Sequence, residues 1–459
     1  MMWLQEAAQA VGGRVIGDNV EFQSVSTDTR ENLAGKLFVA LRGERFDAHD
    51  FLAQALAQGA VAAVVESREG LQVPAGLPLL QVADTRLALG ALAGYWRNQF
   101  KLPVIGVTGS NGKTTVKEMC AAILRAWLGP ESVLATQGNL NNDIGLPQML
   151  LRLNTTHRAA VIEMGMNHPG EIAYLAALAR PTVAIVTNAQ RAHLAGMGGL
   201  QAVAEEKGEI FRALAPDGVA VINADDEHAA YWYANHGEAD ICSFGLEHTA
   251  NTSAQCKAQG LGSRMDVLTP QGVASFFLPV PGLHNARNAL GAAAACLAAG
   301  SPLDAVVSGL SGFVAAKGRL QPKPAIGGAT LLDDTYNANP DSVRAGIDVL
   351  AATPGRKLLV LGDMGEIGEM SAQYHDEIGG YAKSSGVDAL FALGEQSALA
   401  ARNFGSGGEH FDSVEALVEA IRPVLGADVV VLVKGSRFMR MERVAEALAL
   451  PQDKNQRGL

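Results

Sequence analysis

The chain has 459 residues and a net charge of −11, with 48% hydrophobic and 18% charged residues. Its length predicts roughly three domains, and its few, scattered lysines and arginines argue against nucleic acid or an anionic membrane surface as partners. The four cysteines lack C-x-x-C spacing, the N-terminus lacks the features of a signal peptide, and no apolar stretch is long enough for stable membrane insertion. We therefore expect a cytoplasmic protein with reduced thiols.

Residues 1–83 are predicted to form a small α/β domain, and a helix at 84–100 connects it to the rest of the chain. Strands are expected at 35–41 and 61–66, with a helix at 49–58 between them. Two polar runs, at 26–30 and 42–45, are rich in hydrogen-bonding groups. From spacing alone, ordinary turns are the favoured interpretation of both runs.

The segment GVTGSNGKTTVKEM (106–119) opens a second domain, predicted to span residues 101–315. It lies between the apolar run 102–105 and an amphipathic helix, where a glycine-rich turn can cradle phosphates. Gly109 and Gly112 let backbone N–H groups point inward, Lys113 can reach the β- and γ-phosphates, and the Thr114 hydroxyl can bind Mg²⁺. Val107 replaces the first glycine of the strict motif, and a chance match in a loop is the alternative.

Two more apolar strands of this domain, at 159–162 and 183–186, end in polar residues. Alternating strands and helices predict a doubly wound parallel sheet, in which ligands bind beyond the carboxyl ends of the strands. Thr114, Glu163 and His193 all fall at such ends and could together hold hard cations beside the phosphates. An isolated Glu or His is more often structural, so both interpretations stay open.

Lys207 is unusual because it lies on the apolar stripe of a helix predicted at 201–214. A lysine on a buried face is costly unless it is paired or chemically altered. The common alternative is that the side chain extends along the surface and keeps its ammonium in water. Further on, Asn285 and Asn288 lie near the start of an alanine-rich helix predicted at 285–299, where they could be helix caps or could contact a base.

Residues 316–459 are predicted to form a third α/β domain, of Rossmann-like type. Strands are expected at 330–332, 357–361, 389–393 and 429–433, and polar clusters follow three of them, at 333–337, 363–366 and 434–437. Asn339 and Pro340 are typical of a helix start, with a cap followed by proline at the first helical position.

These motifs together resemble the Mur ligase superfamily, the ATP-dependent amide-forming enzymes of bacterial cell-wall synthesis. The resemblance covers nearly the whole chain. It rests on STDTR (26–30), FVALRGERFDAHDF (38–51), TGSNGKTTVKEM (108–119), GNLNNDIGLP (138–147), EMGMNHPGEI (163–172), KGEIF (207–211), HNARNAL (284–290), DDTYNANP (333–340), LGDMGE (361–366) and VLVKGSR (431–437). Within the superfamily, the third-domain motifs resemble those of members that add D-alanyl-D-alanine to UDP-N-acetylmuramoyl-tripeptide.

The resemblance also implies roles for individual residues. Contacts to the UDP-linked substrate are implied for Ser26, Thr29, Arg30, Arg42, Gly43, Asp47, His49, Asn139, Asn141 and Asn142. Contacts to ATP are implied for Gly109, Ser110, Asn111, Gly112, Lys113, Thr114, Thr115, Asn285, Asn288, Arg319, Asp334, Tyr336 and Asn337. The implied ligands of two Mg²⁺ ions are Thr114, Glu163, His193 and Lys207 as a carbamate. Lys113, Lys207, His193 and Arg319 are the implied catalytic residues. Gln190 and Arg191 depart from the small residues that the family pattern predicts before His193.

The implied reaction activates the terminal carboxylate of the tripeptide as an acyl phosphate, which the amine of D-alanyl-D-alanine then attacks. The product would be a peptidoglycan precursor, and the enzyme is expected to be a monomer. Two alternatives are a related folylpolyglutamate synthase, which would not need the UDP segment of the first domain, and a nucleotide switch that forms no amide bond.

Overall fold

The structure is a computed structural model that describes residues 1–43, 46–192 and 194–451. Its described strands form three main sheets, one in each predicted α/β region, and a two-stranded ribbon at the N-terminus. The prediction of three α/β domains is therefore confirmed. Within the described residues, no helix is both long and apolar enough to cross a membrane.

The first region holds a five-stranded sheet of order β2-β7-β6-β5-β4, together with the ribbon β1-β3. Its elements are β1 (Met2–Trp3), α1 (Leu4–Val11), β2 (Arg14–Ile16), β3 (Glu21–Phe22), β4 (Ser24–Ser26), β5 (Lys36–Val39), a 3₁₀ turn (Ala48–Phe51), α2 (Leu52–Ala57), β6 (Ala62–Glu66), β7 (Leu79–Val82) and α3 (Thr85–Arg97). Helix α3 is the predicted connecting helix, and Asp84 caps it by accepting hydrogen bonds from the backbone of Arg86 and Leu87.

The central region is built on a nine-stranded sheet of order β16-β15-β14-β13-β12-β11-β8-β10-β9. Its elements are β8 (Val104–Thr108), α4 (Lys113–Leu128), a 3₁₀ turn (Pro130–Ser132), β9 (Val133–Ala135), α5 (Gly145–Leu150), β10 (Ala159–Glu163), α6 (Glu171–Ala179), β11 (Val183–Val186), α7 (Leu194–Met197), α8 (Leu200–Arg212), β12 (Val219–Asn223), α9 (Ala229–Ala234), β13 (Asp240–Gly245), β14 (Thr252–Gln259), β15 (Gly262–Thr269), β16 (Gly272–Leu278), α10 (Leu283–Ala298) and α11 (Leu303–Ser311).

This sheet is parallel from β9 to β14, as the prediction requires, and β15 and β16 extend it as an antiparallel hairpin. Strands β8 and β10 are buried along their whole length because helices cover both faces. Strand β15 instead alternates between buried and exposed residues, which is the pattern of an antiparallel strand with one solvated face.

The third region has a six-stranded sheet of order β17-β18-β22-β19-β20-β21, in which only the β17–β18 pair is antiparallel among the described strands. Its elements are β17 (Gln321–Pro324), a 3₁₀ turn (Ile326–Gly328), β18 (Thr330–Asp334), α12 (Pro340–Ala351), β19 (Arg356–Gly362), α13 (Ser371–Ser384), β20 (Ala389–Leu393), α14 (Ser397–Phe404), β21 (Gly408–Phe411), α15 (Val414–Ile421), a 3₁₀ turn (Arg422–Val424), β22 (Val429–Lys434), a 3₁₀ turn (Arg437–Met439) and α16 (Glu442–Leu448). Asn339 caps α12 in a capping box with Pro340 at the first position, which confirms the predicted helix start.

Candidate active site

A cleft of about 810 Å³ lies where the strand ends of the central and third sheets face each other. Many of the predicted site residues line it. These are Ser110, Asn111, Gly112, Lys113, Thr114, Thr115, Asn139, Asn141, Asn142, Glu163, Asn285, Asn288, Arg319, Asp334, Tyr336 and Asn337. The predicted residues of the first region, as well as Gly109 and Lys207, do not line this cleft, and His193 lies outside the described residues.

The turn between β8 and α4 has the shape that the phosphate-loop motif predicts. Gly109 and Gly112 have φ values of 149° and 82°, in the region that favours glycine. A Cβ atom on Gly109 would lie 1.8 Å from Thr187 Oγ1, and one on Gly112 would lie 2.5 Å from Asn288 Oδ1. Both glycines are therefore favoured by backbone conformation, and a larger residue would clash with Thr187 at position 109 and displace the Asn288 side chain at position 112.

Hydrogen bonds from the segment after β11 hold this loop in place. Asn111 N donates to Asn188 Oδ1 at 2.9 Å, and Asn111 Nδ2 donates to Gln190 Oε1 at 2.7 Å. Ser110 and Gln190 exchange two further bonds, of 3.0 and 2.9 Å. Gln190, whose size departs from the family pattern, thus supports the phosphate loop directly.

Lys113 is the cation of the loop, and its Nζ donates to the carbonyl oxygens of Gly109 at 2.7 Å and Ser110 at 3.3 Å. Burial lowers the pKa of Lys113, the negative charge of Glu163 raises it, and the positive charge of Arg319 lowers it. A bound triphosphate would supply the counter-charge that this ammonium lacks.

Glu163, at the end of β10, carries an unsatisfied acceptor beside the loop. Its side chain is 2% exposed, and Oε1 accepts a hydrogen bond of 2.8 Å from Asn141 Nδ2. Oε2 is buried without a partner in the described part of the chain. A carboxylate oxygen left bare in a polar cleft is a suitable ligand for a hard cation.

Lys207 lies on the inner face of α8 and is 1% exposed, so the interpretation that it reaches solvent is wrong. Burial lowers its pKa well below the ordinary value, the charge of Lys113 lowers it further, and Glu206 raises it. Within the described residues, no hydrogen bond or ion pair engages its ammonium. Neighbouring Glu206 instead accepts the backbone N–H groups of Gly170 and Ile172, both at 2.8 Å, and so anchors α8 to the start of α6.

Asn285 and Asn288 lie inside α10, whose N-cap is Gly282, so neither asparagine is the helix cap. Asn285 Nδ2 donates to Pro281 O at 2.8 Å, and Asn288 Nδ2 donates to Asn285 Oδ1 at 3.3 Å. Both line the cleft, with Asn288 directly against Gly112.

The third region contributes a cation that reaches across the cleft. Arg319 Nη2 donates to Thr114 Oγ1 at 3.2 Å, and its guanidinium lies over the Tyr336 ring at 4.0 Å from the centroid. Its Nε is buried and has no partner among the described residues. Positive charge from both regions therefore converges on the phosphate loop.

Two further contacts join these regions around the N-terminus of α12. The amides of Asn111 and Asn339 pair reciprocally, at 2.8 and 3.3 Å. The carboxylate of Asp341 accepts from the backbone N of Arg191 at 2.8 Å and from its guanidinium at 2.5–3.2 Å. Arg191, the charged residue that the family pattern does not predict, is thus an interdomain contact.

Several predicted substrate residues of the first region bond to neighbouring residues of the same region. Asp28 pairs with Arg30 at 2.6 Å, and Ser26 bonds to Glu31. The buried ring of His49 donates from Nδ1 to Asp47 and accepts at Nε2 from the backbone N of Glu66. The second polar run, at 42–45, is described only in part, because Glu44 and Arg45 lie outside the described residues.

Sequence reasoning missed Asp225, Asp226 and Arg287, which also line the cleft. Asp225 accepts the backbone N–H groups of residues 246–248 and the Arg287 guanidinium at 3.0 Å. Burial works to raise the pKa of Asp225, but these hydrogen bonds outweigh it and lower the pKa to about 2. Both aspartates directly follow β12, so the strand-end rule applied to Glu163 would have found them.

Comparisons with known proteins agree with this geometry. Three family models match in chain order: the Mur ligase family catalytic domain at residues 21–97, the Mur ligase middle domain at 107–296, and the Mur ligase glutamate ligase domain at 318–437. The UDP-N-acetylmuramoyl-tripeptide–D-alanyl-D-alanine ligase of Escherichia coli strain K12 is 43% identical over 450 residues, covering 97% of this chain and 98% of that protein.

Two solved structures are similar over nearly the whole chain. Crystal structure I of MurF from Acinetobacter baumannii has a TM-score of 0.90 at 37% identity and covers 96% of this chain and 97% of that one. MurF ligase from Thermotoga maritima, solved in complex with ADP, has a TM-score of 0.81 at 26% identity and covers 93% of this chain and 96% of that one.

Proposed function

The chain belongs to the Mur ligase family, and we propose that it is the ATP-dependent ligase that joins D-alanyl-D-alanine to UDP-N-acetylmuramoyl-tripeptide. The observation that carries this proposal is the cleft with a phosphate loop on one wall and third-domain strand ends on the other. The full-length 43% identity to a ligase of that name supports the choice of substrates. It also favours this reaction over a folylpolyglutamate synthase or a nucleotide switch.

A carboxylate cannot react with an amine directly because its oxygen is a poor leaving group. We infer that the terminal carboxylate of the tripeptide attacks the γ-phosphorus of ATP, which releases ADP and leaves an acyl phosphate. The amine of D-alanyl-D-alanine then attacks the acyl carbon and loses a proton, and the tetrahedral intermediate expels phosphate to leave the new amide. Positioning and charge stabilisation supply most of the catalysis in phosphoryl transfer.

Lys113 and Arg319 are the groups proposed to neutralise charge between the two anionic reactants. Lys113 approaches from the central region, and Arg319 approaches from the third region with an Nε that bonds to none of the described residues. Because these cations come from opposite walls, the complete charge arrangement requires that the two regions meet. Their meeting would also keep water away from the acyl phosphate.

The residues beside the loop fit magnesium. The bare Oε2 of Glu163 and the hydroxyl of Thr114 are hard oxygen donors at one strand edge, and His193 is the remaining proposed ligand. When bound, magnesium neutralises charge on the transferring phosphoryl group. Lys207 also fits the proposed carbamate, since burial lowers the pKa of its amine and so favours the neutral form, which is the form that reacts with CO₂.

Other predicted roles remain proposals on the same basis. Adenine contacts are assigned to Asn285 and Asn288, which lie beside the loop, and further ATP contacts to the 334–337 segment. The predicted residues between 26 and 49, together with Asn139, Asn141 and Asn142, are proposed to hold the UDP-linked substrate. Thr27 accepts a 2.9 Å hydrogen bond from Gln148, so this part of the first region adjoins the central region. The domain limits 1–83, 84–100, 101–315 and 316–459, a monomeric state and a cytoplasmic location also stay predictions.

The test is to incubate the protein with ATP, magnesium, UDP-N-acetylmuramoyl-tripeptide and D-alanyl-D-alanine and to weigh the product by mass spectrometry. We expect the UDP-linked pentapeptide, with one ADP and one phosphate released per amide formed. Parallel reactions with tetrahydrofolate and glutamate, or without D-alanyl-D-alanine, serve as controls. ATP hydrolysis without an amide product, or ligation of glutamate to folate, would contradict the proposal.

A further inference from the structure

Lys434 ends β22 in the middle of the third sheet and lines the cleft, yet the residue is only 2% exposed. Its Nζ donates to Asp334 Oδ2 at 2.6 Å and to Asn337 O at 2.9 Å. A buried ammonium is costly unless it is paired and hydrogen-bonded. The charge of Lys434 is therefore directed to the 334–337 segment that is proposed to contact ATP.

The same carboxylate holds the chain where it enters the third region. Asp334 Oδ1 accepts a hydrogen bond of 3.1 Å from the backbone N of Leu320. Leu320 has a φ of 54°, a left-handed conformation that a non-glycine residue keeps only when its surroundings hold it. Asp334 thus connects Lys434 on one side to a strained backbone position on the other.

Arg319 immediately precedes that position. Its guanidinium lies over the Tyr336 ring and donates to Thr114, while its buried Nε has no partner among the described residues. The backbone conformation of Leu320 sets the direction from which the Arg319 side chain starts. An error in this direction moves the guanidinium relative to the phosphate loop, and misplacements of about 1 Å can cost roughly a hundredfold in rate.

We propose that Lys434 is a positioning residue for the ligation reaction. It fixes Asp334, and through the Leu320 amide it aims Arg319 at the phosphate loop. This inference rests on the proposed function for its kinetic part. Two other roles make different predictions: direct contact of Lys434 with a ligand, and a purely structural ion pair.

The pair formed by Lys323 on β17 and Asp333, the residue before Asp334 on β18, offers a matched control. Lys323 Nζ bonds to Asp333 Oδ2 at 2.5 Å, and Asp333 is 1% exposed. Successive strand residues point to opposite faces of the sheet, and neither Lys323 nor Asp333 lines the cleft. Lys323→Met therefore removes an ion pair of the same strand ends that does not itself line the cleft.

The experiment compares Lys434→Met, Asp334→Asn, the double variant and Lys323→Met. We expect Lys434→Met to lower kcat/KM for ATP by about tenfold to a hundredfold, with the KM for the UDP-linked substrate nearly unchanged. The double variant should match Asp334→Asn within about twofold, because residues that act through one another are not additive. Hydrogen exchange in the peptide that contains Leu320 should accelerate in Lys434→Met and stay unchanged in Lys323→Met.

Effects of Lys434→Met and Asp334→Asn that multiply would overturn the inference, because they would show that Lys434 acts on its own. Lowered thermal stability with unchanged kinetics and unchanged exchange at Leu320 would overturn it in favour of a structural pair. If Lys434→Met does not fold, the double variant, which leaves no unpaired buried charge, is compared with Asp334→Asn. Failure of the wild type to make the pentapeptide would count against the proposed function alone, since the exchange measurement does not depend on turnover.

Discussion

The cleft and the polar runs of the first region are both rich in polar side chains, but these are bonded in different ways. In the cleft, Glu163 Oε2 and Arg319 Nε are buried without partners in the described part of the chain. In the first region, Asp28 pairs with Arg30, and Asp47 pairs with His49. Bare buried polar atoms are costly and indicate a missing ligand. Side chains that satisfy one another need no ligand to explain them, and the predictions below test this difference.

The largest effect is expected at Lys113, because no carboxylate of the described residues forms an ion pair with its ammonium, which bonds only to two carbonyl oxygens of its own loop. Lys113→Ala should lower ligation by about a hundredfold to a thousandfold, as is typical when one preorganised charge is lost from a site. Steady-state ligation assays and thermal unfolding are the measurements. The variant should keep the wild-type fold and a near-normal unfolding temperature, because Lys113 bonds only to the carbonyl oxygens of its own loop among the described residues. Activity within about threefold of the wild type would contradict the assignment of the phosphate loop.

The next effect concerns Lys207, a buried lysine whose side-chain nitrogen has no bonding partner among the described residues. Lys207→Ala should lose activity by about tenfold to a hundredfold, as for other groups that support a metal site, and short carboxylates in the buffer should restore part of it. With ¹³C-bicarbonate, the wild type should show a carbamate carbon resonance by NMR that Lys207→Ala lacks. A wild-type spectrum without that resonance at saturating bicarbonate, or full activity of Lys207→Ala, would remove the carbamate proposal.

Features that depend on residues close together in the sequence could be predicted. The glycine and lysine spacing at 109–113 indicated the phosphate loop, and the strand-end rule indicated the position of Glu163. The apolar stripe of α8 marked Lys207 as unusual but left burial and extension to solvent both open, and the structure shows that Lys207 is buried. The Arg191–Asp341 contact joins residues 150 positions apart, and no local pattern encodes it. The hydrogen bond from Leu320 to Asp334 was also inaccessible, because it depends on a backbone conformation that leucine rarely adopts.

Asp225 lines the cleft, but both of its carboxylate oxygens already accept hydrogen bonds from the protein, unlike Oε2 of Glu163. It therefore tests whether paired cleft residues act through stability. Its pKa is lowered to about 2, so its carboxylate contributes stability above the ordinary pKa near 3.8, and this contribution is lost as the pH falls toward 2. Asp225→Asn should lower the free energy of unfolding at pH 7 by roughly 1–3 kcal/mol. The difference from the wild type should shrink between pH 4 and about pH 2 when urea unfolding is followed.

Asp226 is the matched control, since burial raises its pKa and its ionised form is disfavoured. Asp226→Asn should therefore cost less stability at pH 7 than Asp225→Asn, although Asp226 also accepts a 2.9 Å hydrogen bond from the Ala189 backbone. Equal losses in the two variants, or a loss in Asp225→Asn that does not change with pH, would show that these hydrogen bonds do not depend on the charge of Asp225.

The smallest effect is expected in the first region. A ligand contact there would contradict the rule that paired side chains need no ligand. Arg30 is 86% exposed and bonds only to Asp28 among the described residues, so a turn explains it without a ligand. If it also contacts the UDP-linked substrate, Arg30→Ala should raise the KM for that substrate by about threefold to fivefold, which is the range of an exposed charge pair. The KM for ATP should not change.

Arg14, on β2 at the opposite edge of the sheet of the first region, bonds to Gln81 and provides the control variant Arg14→Ala. A specific rise in Arg30→Ala would mean that self-paired side chains can still open to bind a ligand. Equal KM values in the two variants would leave the 26–30 segment as a turn and move the search for the UDP site to residues 139–142.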